Sequence, residues 1–500
     1  MSAPGLATLV NFNTNGLQVT RFDSAAAALD AHDGEIACFD GVFYLYGTSY
    51  DCGYEWGNSN APFCGFKAYS SADLVNWTDR GFLFDARTPL WQSRCNGSTY
   101  GCYRPHVIYN ARTKMYVLWI NVYDNRVGYR VFTSTTPVGP FTEIAEPTLS
   151  VNTNAPVAGL NNGDHDLFVD DDGTAYLAFT DWRKGGVIMI EQLNSDYTSG
   201  AGPYATVTHG HTEAPALLKR NGKYYLLYSD PNCGYCSGTG TSYRTASSPL
   251  GPWSAGIKIS TNSCGGQPSF VSTIKLGSDV IFLYGSDLWN NGAKNEALAN
   301  FYWAPLTFAA DDTINPIKCQ DQVSVSLQPD LTPPPTLADL DNASGTDGFT
   351  TFGDIGGDLQ RSQYFRATRT GRLSAVSVST FQRDYPDAGL TVEIYQADKT
   401  SRLPTGAALS SILVLPDSIG WAPKLVTVHP EISVTADTAY AIVLKSKCSR
   451  GRYGFEYNDA APYPDGGAAY SSDGGSTFAS ELHRTLLFRT FVHAVGSGGE

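Results

Sequence analysis

Along the N-terminal part of the chain, a turn leads five times into a short run dominated by apolar and aromatic positions. The copies are FDGVFYLYG from Phe39, ARTKMYVLWI from Ala111, DDGTAYLAF from Asp171, RNGKYYLLY from Arg220 and GSDVIFLYG from Gly277. Tyr44, Tyr116, Tyr176, Tyr225 and Phe282 hold the same place in each, at spacings of 72, 60, 49 and 57 residues. A four-stranded propeller blade takes roughly 40 to 50 residues, so these spacings fit blades carrying insertions. A further strand and turn follows most copies, as in FKAYSSADLVNW, YRVFTSTTPVGPF, YRTASSPLGPW and FYWAPLTF. The pattern predicts an all-β chain whose residues 1–328 form a five-bladed β-propeller; a sandwich of irregular hairpins is the alternative.

The repeat stops near Gln328, where Pro329-Asp-Leu-Thr-Pro-Pro-Pro-Thr336 reads as a stiff, extended linker over 329–339. Residues 340–500 then alternate short strands, such as Leu390 to Tyr395, Leu425 to Val428 and Ala439 to Leu444, with turn clusters. They predict a β-sandwich, jelly-roll-like accessory domain. Its aromatics Trp421, Tyr453 and Tyr470 read as packing rather than as a sugar-binding surface.

Composition narrows the function. Charged residues make up 16% of the 500, against 50 Gly, 29 Tyr and 3 Met, as suits turn-rich β structure. A net charge of −14 disfavours nucleic acid and anionic membrane, which are bound through excess Lys and Arg, and a neutral ligand fits better. Nothing approaches the roughly 18 apolar residues of a membrane span, and Met1 to Val10 lacks the basic start of a signal peptide. Ten cysteines, with Cys52 near Cys64, Cys95 near Cys102 and Cys233 near Cys236, favour a secreted or cell-surface protein whose signal is absent from this sequence. Their connectivity is open. No second Cys or His pair stands at zinc spacing, and no metal or cofactor is expected.

Candidate chemistry sits ahead of the repeats. Glu213, in HTEAP, precedes a hairpin whose runs Ala214 to Leu218 and Tyr224 to Tyr228 flank a Lys-Arg-Asn-Gly turn. Asp33 in AHDGEI and Asp164 in NGDHDLFVDDDG stand in comparable positions before the first and third copies. In a propeller such positions converge on one axial pocket. Glycosidic bonds are cleaved between two carboxyls, one protonated and one ionised, and a third carboxylate nearby keeps the acid's proton on.

These stretches carry a resemblance to glycoside hydrolase family 43, over about Ala31 to Phe308. AHDGEI…FYLYGT resembles the family's general-base region, DHDLFVDDDG that of the aspartate tuning the acid, and TEAPALLKRNGKYYLLYS that of the general-acid glutamate. The resemblance implies Asp33 as base, Asp164 as modulator and Glu213 as acid, in an inverting hydrolase. Family members usually show Asp-Pro at the base, whereas this chain has Asp33-Gly34-Glu35, so Glu35 stands as a rival. YRPHVIYNARTKMYVLWIN, GGQPSF and SDLWNN…NFYWAPLTF are similar to the galactan-cleaving branch, which places a Gln where Gln267 falls.

Around the acids, Trp56, Trp91, Trp119, Trp182 and Trp289 are candidate sugar platforms, with the core as their other destination. Arg104, His106 and Arg244 are candidate hydroxyl binders, Gln267 a candidate ligand for sugar or water, and His32 a candidate partner of the base. The long insertions Cys52–Cys64 and Arg87–Cys102 would block one end of a cleft, giving exo action. The expected protein removes terminal galactofuranosyl or β-1,3-galactosyl residues from a polysaccharide or oligosaccharide. An arabinofuranosidase and a non-catalytic carbohydrate-binding propeller are the alternatives.

Overall fold

A computed structural model describes residues 5–144, 146–152, 161–276, 279–290, 294–327, 337–460 and 463–494. The Pro-rich stretch 329–336 and the Gly277-Ser278 turn of the fifth repeat lie outside the described residues. The chain is all-β. It divides into two compact units, one holding most of the chain up to Leu331 and the other the remainder from Thr332.

The first unit opens with β1 (Gly5–Val10) and continues with a sheet of β2 (His32–Phe39), β3 (Val42–Thr48), β4 (Phe66–Ser71) and β5 (Thr78–Phe82). Helix α1 (Pro89–Cys95) follows, its start capped by the Thr88 hydroxyl and set by Pro89 at the first helical position. The second sheet is β6 (Cys102–Asn110), β7 (Met115–Val122), β8 (Tyr129–Ser134) and β9 (Thr142–Glu143), and the third is β10 (Asn162–Val169), β11 (Ala175–Asp181), β12 (Val187–Leu193) and β13 (Gly200–Thr206). The fourth is β14 (Glu213–Arg220), β15 (Lys223–Ser229), β16 (Thr241–Ala246) and β17 (Ile257–Ser260). The fifth has β18 (Gln267–Leu276), β19 (Asp279–Leu288) and β20 (Asn300–Pro305), and β21 (Gln322–Leu327) pairs with β1. All five larger sheets are antiparallel meanders, and the β1–β21 pair is antiparallel as well. The five aromatic runs of the sequence are the second strands, and the first strands β2, β6, β10, β14 and β18 pack beside one another in that order, with β18 returning to β2.

Each first strand slips register against its neighbour near its N-terminal end. The slips fall between His32 and Glu35, Tyr103 and His106, Asn162 and His165, Glu213 and Ala216, and Pro268 and Phe270. Gly34, Pro105, Gly163, Pro215 and Pro268 sit at these bulges, and Asp33, Arg104 and Ala214 take left-handed φ angles of 56°, 57° and 51°. A bulge bends a strand and re-aims its side chains, and Gly and Pro are the residues that mark such places. At Gly34 a side chain is impossible as the backbone stands, because a Cβ would run into the Tyr46 carbonyl.

The second unit contains an eight-stranded and a six-stranded sheet. Val376, Val378, Phe455 and Phe488 from the former and Phe365, Ile394, Ile442 and Leu444 from the latter share one apolar core. The expected strands are present as Leu390–Ala397, Lys424–Val428 and Ala439–Ser446. Trp421 and Tyr453 are buried, while Tyr470 is exposed. Phe12–Leu29, read from the sequence as part of the first domain, belongs instead to this unit. Thr20 N–H donates to the Phe349 carbonyl at 3.0 Å and Ala28 N–H to Pro423 at 2.7 Å, pairings hundreds of residues apart that no local pattern announces. No helix among the described residues is long and apolar enough to cross a membrane.

Arg220 pairs with Lys223 across Asn221 and Gly222, whose φ angles of 50° and 75° make a type I′ turn. A Cβ at Gly222 would meet nothing within 4 Å, so only backbone conformation opposes one there. Gly222→Ala should therefore lose about 1 kcal/mol in urea denaturation, and Gly222→Asn less, because Asn tolerates the left-handed region better.

Candidate active site

The N-terminal ends of the first strands line a cavity of about 450 Å³, to which β2 brings Asp33, β6 Tyr103 and Arg104, β10 Asp164, β14 Glu213 and β18 Gln267. The later residues of the same strands line a second cavity of about 690 Å³. The bulge after His32 separates the two rival bases, placing Asp33 in the first cavity and Glu35 in the second.

Glu213 is buried, and both its hydrogen bonds end on Oε1, which accepts the Cys233 N–H and, at 2.8 Å, the Gln267 Nε2–H. An oxygen accepting two N–H donors leaves Oε2 to carry the carboxyl proton. Burial raises the pKa well above the ordinary range, and the Asp164 charge adds to the rise against the Cys233 N–H and Arg104. Gln267 is itself fixed at its other end, where Oε1 accepts Trp289 Nε1–H at 3.0 Å. Its amide therefore bridges two cavity side chains rather than backbone groups.

Asp33 is also buried. Its Oδ1 accepts the Thr48 hydroxyl at 2.7 Å and the Arg104 backbone N–H at 3.2 Å, while its own N–H donates to Asp287 Oδ2 at 3.1 Å. Burial pushes its pKa up to about 7, although Arg104 and Thr48 favour the charged form. The guanidinium of Arg104, buried as well, donates to Asp164 Oδ2 at 2.9 Å and to the Ser269 carbonyl at 3.0 Å. Asp164 remains half-buried. One cavity thus holds a carboxyl that burial biases toward its protonated form, a second whose pKa burial pushes up to about 7 and a third paired to a cation.

Trp56, Trp182 and Trp289 line this cavity. Trp182 closes in because the neighbouring position is Gly163, where a Cβ would strike its indole nitrogen. The structure does not bring the other candidates here. Trp119 is buried in the apolar core, with Nε1–H donating to the Tyr197 carbonyl at 2.8 Å, and Trp91 packs against Phe84 and Phe132. Arg244 donates to the Ser254 carbonyl at 2.9 Å on β16. His106 lies beyond the bulge of β6, with Nδ1 3.2 Å from Asp166 Oδ1. His32 faces Asp30 at 3.6 Å and Asp287 at 4.0 Å, and Asp287 in turn accepts the Asp33 N–H, so among the described residues no hydrogen bond links His32 to the Asp33 carboxyl directly.

Glu35, His106 and Asp166 offer ligand atoms within 4.8 Å of one another, and among the described residues they are a group that could hold a cation. Their hydrogen bonds already link neighbouring sheets: Glu35 accepts the Val107 N–H, and Asp166 the Leu217 N–H at 2.6 Å.

Sequence reasoning missed Tyr103, Tyr123, Tyr235 and Asp287. A Gly or Pro in each first strand was the available signal for where the chain turns into the cavity. The three cysteine pairs close in sequence are disulfides, joined by Cys264–Cys319. Trp56, Tyr100 and Tyr235, each inside one of the three short loops, all line the cavity.

Residues 22–305 match the description "Glycosyl hydrolases family 43". A curated relative, the Beta-D-galactofuranosidase of Aspergillus niger, is 33% identical over 234 residues, covering 45% of this chain and 63% of that protein. The Arabinoxylan arabinofuranohydrolase of Bacillus subtilis is 28% identical over 254 residues, covering 43% of this chain and 47% of its own. The chain thus spans less than two thirds of the length of these relatives. An exo-beta-1,3-galactanase structure from Clostridium thermocellum aligns over 98% of both chains with a TM-score of 0.54 at 20% identity, a likeness of fold.

The two kinds of tryptophan should separate experimentally. Trp119→Ala should cost about 3–5 kcal/mol in denaturant unfolding, as for a large buried ring. Trp182→Ala should change unfolding far less and raise KM for a saccharide substrate.

Proposed function

The chain belongs to glycosyl hydrolases family 43, and from that premise we propose that it is an exo-acting, inverting glycosidase with Glu213 as general acid, Asp33 as general base and Asp164 as the carboxylate that tunes the acid. The observation that carries this is the cavity itself, which joins two buried carboxyls from separate strands, one with its pKa raised well above the ordinary range and the other pushed up to about 7. Water attacks the anomeric carbon from one face of the sugar and gives its proton to Asp33. On the other face Glu213 Oε2 delivers its proton to the departing glycosidic oxygen, so both atoms and charge balance. Trp182 and Trp289 supply apolar surface for the sugar, and Arg104 orients two of the three carboxyls.

The substrate is a terminal galactose-type residue, galactofuranosyl or β-1,3-galactosyl, on a polysaccharide or oligosaccharide. The galactofuranosidase relative supports this choice, and the arabinofuranohydrolase relative supports an arabinofuranosyl alternative. Exo action is supported by the disulfide-closed loops that bring Trp56 and Tyr100 to the cavity wall. Five sheets with neighbouring first strands support a five-bladed propeller, and the two sheets over one core support a β-sandwich accessory domain. Four disulfides among the described residues support a secreted or cell-surface location.

Glu213→Gln should abolish turnover of unactivated saccharides while retaining binding, and should spare aryl glycosides with good leaving groups more; near-normal turnover on a natural substrate would remove the acid assignment. NMR of the first-formed sugar should show inverted configuration.

The pH profile of kcat/KM should be bell-shaped, with its acid limb near pH 7 where Asp33 ionises. The alkaline limb marks loss of the Glu213 proton. Because the Asp164 charge raises that pKa, Asp164→Asn lowers it, and the alkaline limb should move to lower pH. An unshifted limb in the folded variant would overturn the tuning role.

A further inference from the structure

The segment between β15 and β16 contains no strand, yet it supplies one of the two donors on Glu213. Cys233 N–H donates to Glu213 Oε1, and two residues on, Tyr235 lines the same cavity. The Tyr235 ring meets Trp289 edge-on at 5.0 Å, and its hydroxyl lies 3.2 Å from that of Tyr50. The Cys233–Cys236 disulfide closes the loop across three residues. The segment is also tied at its start, where the Asn232 N–H donates to the His211 carbonyl at 2.8 Å, and the disulfide adds a covalent constraint at the donor residue itself.

We propose that the Cys233–Cys236 disulfide is a positioning element of the active site, holding the Cys233 N–H on Glu213 Oε1 and Tyr235 against Trp289, so that proton donation by Glu213 depends on that bond being closed. The proposal rests on the general-acid reading of Glu213. As the proton leaves Oε2, negative charge develops on the carboxyl, and the N–H donors on Oε1 meet that charge. A donor already in place stabilises the transition state more than the ground state. Gln267 supplies the second donor but is held from β18 and Trp289, so it stays when the loop is released. The Cys233 N–H is retained whatever side chain replaces the thiol; only its placement is at stake.

The test is the double variant Cys233→Ser/Cys236→Ser in the full chain, beside Glu213→Gln. On an unactivated saccharide kcat should fall roughly tenfold or more, the worth of one charge-assisted hydrogen bond. Aryl glycosides with good leaving groups should be affected less, since they need less proton donation. The alkaline limb of the pH profile should move to higher pH, because the lost N–H favoured the ionised carboxyl. A merely structural bond would lower the unfolding midpoint and leave the limb and the leaving-group dependence where they were; that outcome, with Glu213→Gln inactive, overturns the proposal alone. Full turnover by Glu213→Gln would overturn the acid reading and the proposal with it. Should the double variant not fold, dithiothreitol treatment of the native protein provides the same comparison. The reagent transfers two electrons and two protons to the disulfide and closes to its own cyclic form. Alkylation at Cys233 and Cys236, quantified by mass spectrometry, should track the loss of activity on unactivated substrate; loss that tracks other cysteines, or none, overturns the proposal.

Discussion

Arg104 is buried, and its backbone and guanidinium together reach three other strands. Its backbone N–H holds Asp33 on β2, and its side chain holds Asp164 on β10 and the Ser269 carbonyl on β18. Losing any of these would leave charge or polarity uncompensated in a low-dielectric site, a cost that makes the whole arrangement mutually dependent. The strands are thereby fixed at the ends where the chemistry lies. The left-handed φ of 57° at Arg104 is what allows one residue to present both backbone and side chain to the cavity.

The same geometric device recurs along the neighbouring first strands. An unbroken strand sends successive side chains to opposite faces, so Asp33 and Glu35 would point the same way. A bulge at Gly34 breaks that alternation and assigns the two carboxyls to different cavities. Asp164 and Asp166 are divided likewise on β10, the latter bonding the Leu217 N–H of the next sheet. Acidic residues two apart in sequence thus serve separate ends, one the cavity and the other the junction between sheets.

Environment then differentiates carboxyls of like chemistry. Burial raises the pKa of both Glu213 and Asp33, and Arg104 eases the ionisation of both, but the Asp164 charge is the second largest influence on Glu213, whereas for Asp33 Arg104 and the Thr48 hydroxyl come before any carboxylate. Two groups with separated proton affinities on one cavity are what acid–base cleavage of an acetal requires.

Much of this was legible in the chain alone. The aromatic repeat announced the second strands, because strands buried on both faces are written as continuous runs of apolar and aromatic side chains. Asp33, Asp164 and Glu213 were legible because each stands just ahead of such a repeat, and Cys52, Cys95 and Cys233 because their partners are close in sequence. Other features had no local record. Trp119 and Trp182 are the same residue type near similar strands, and only the presence of Gly163 beside one and a packed core around the other decided which faces the cavity. His106 looked like a ligand for sugar until the bulge of β6 turned it toward Asp166. Phe12–Leu29 joined the second unit through backbone pairings to Phe349 and Pro423. The sequence alone determined strand periodicity and residue chemistry, which are properties of neighbours along the chain. Which cavity a side chain enters, and which unit a segment joins, were decided by bulges and long-range pairing that exist only once the strands are assembled.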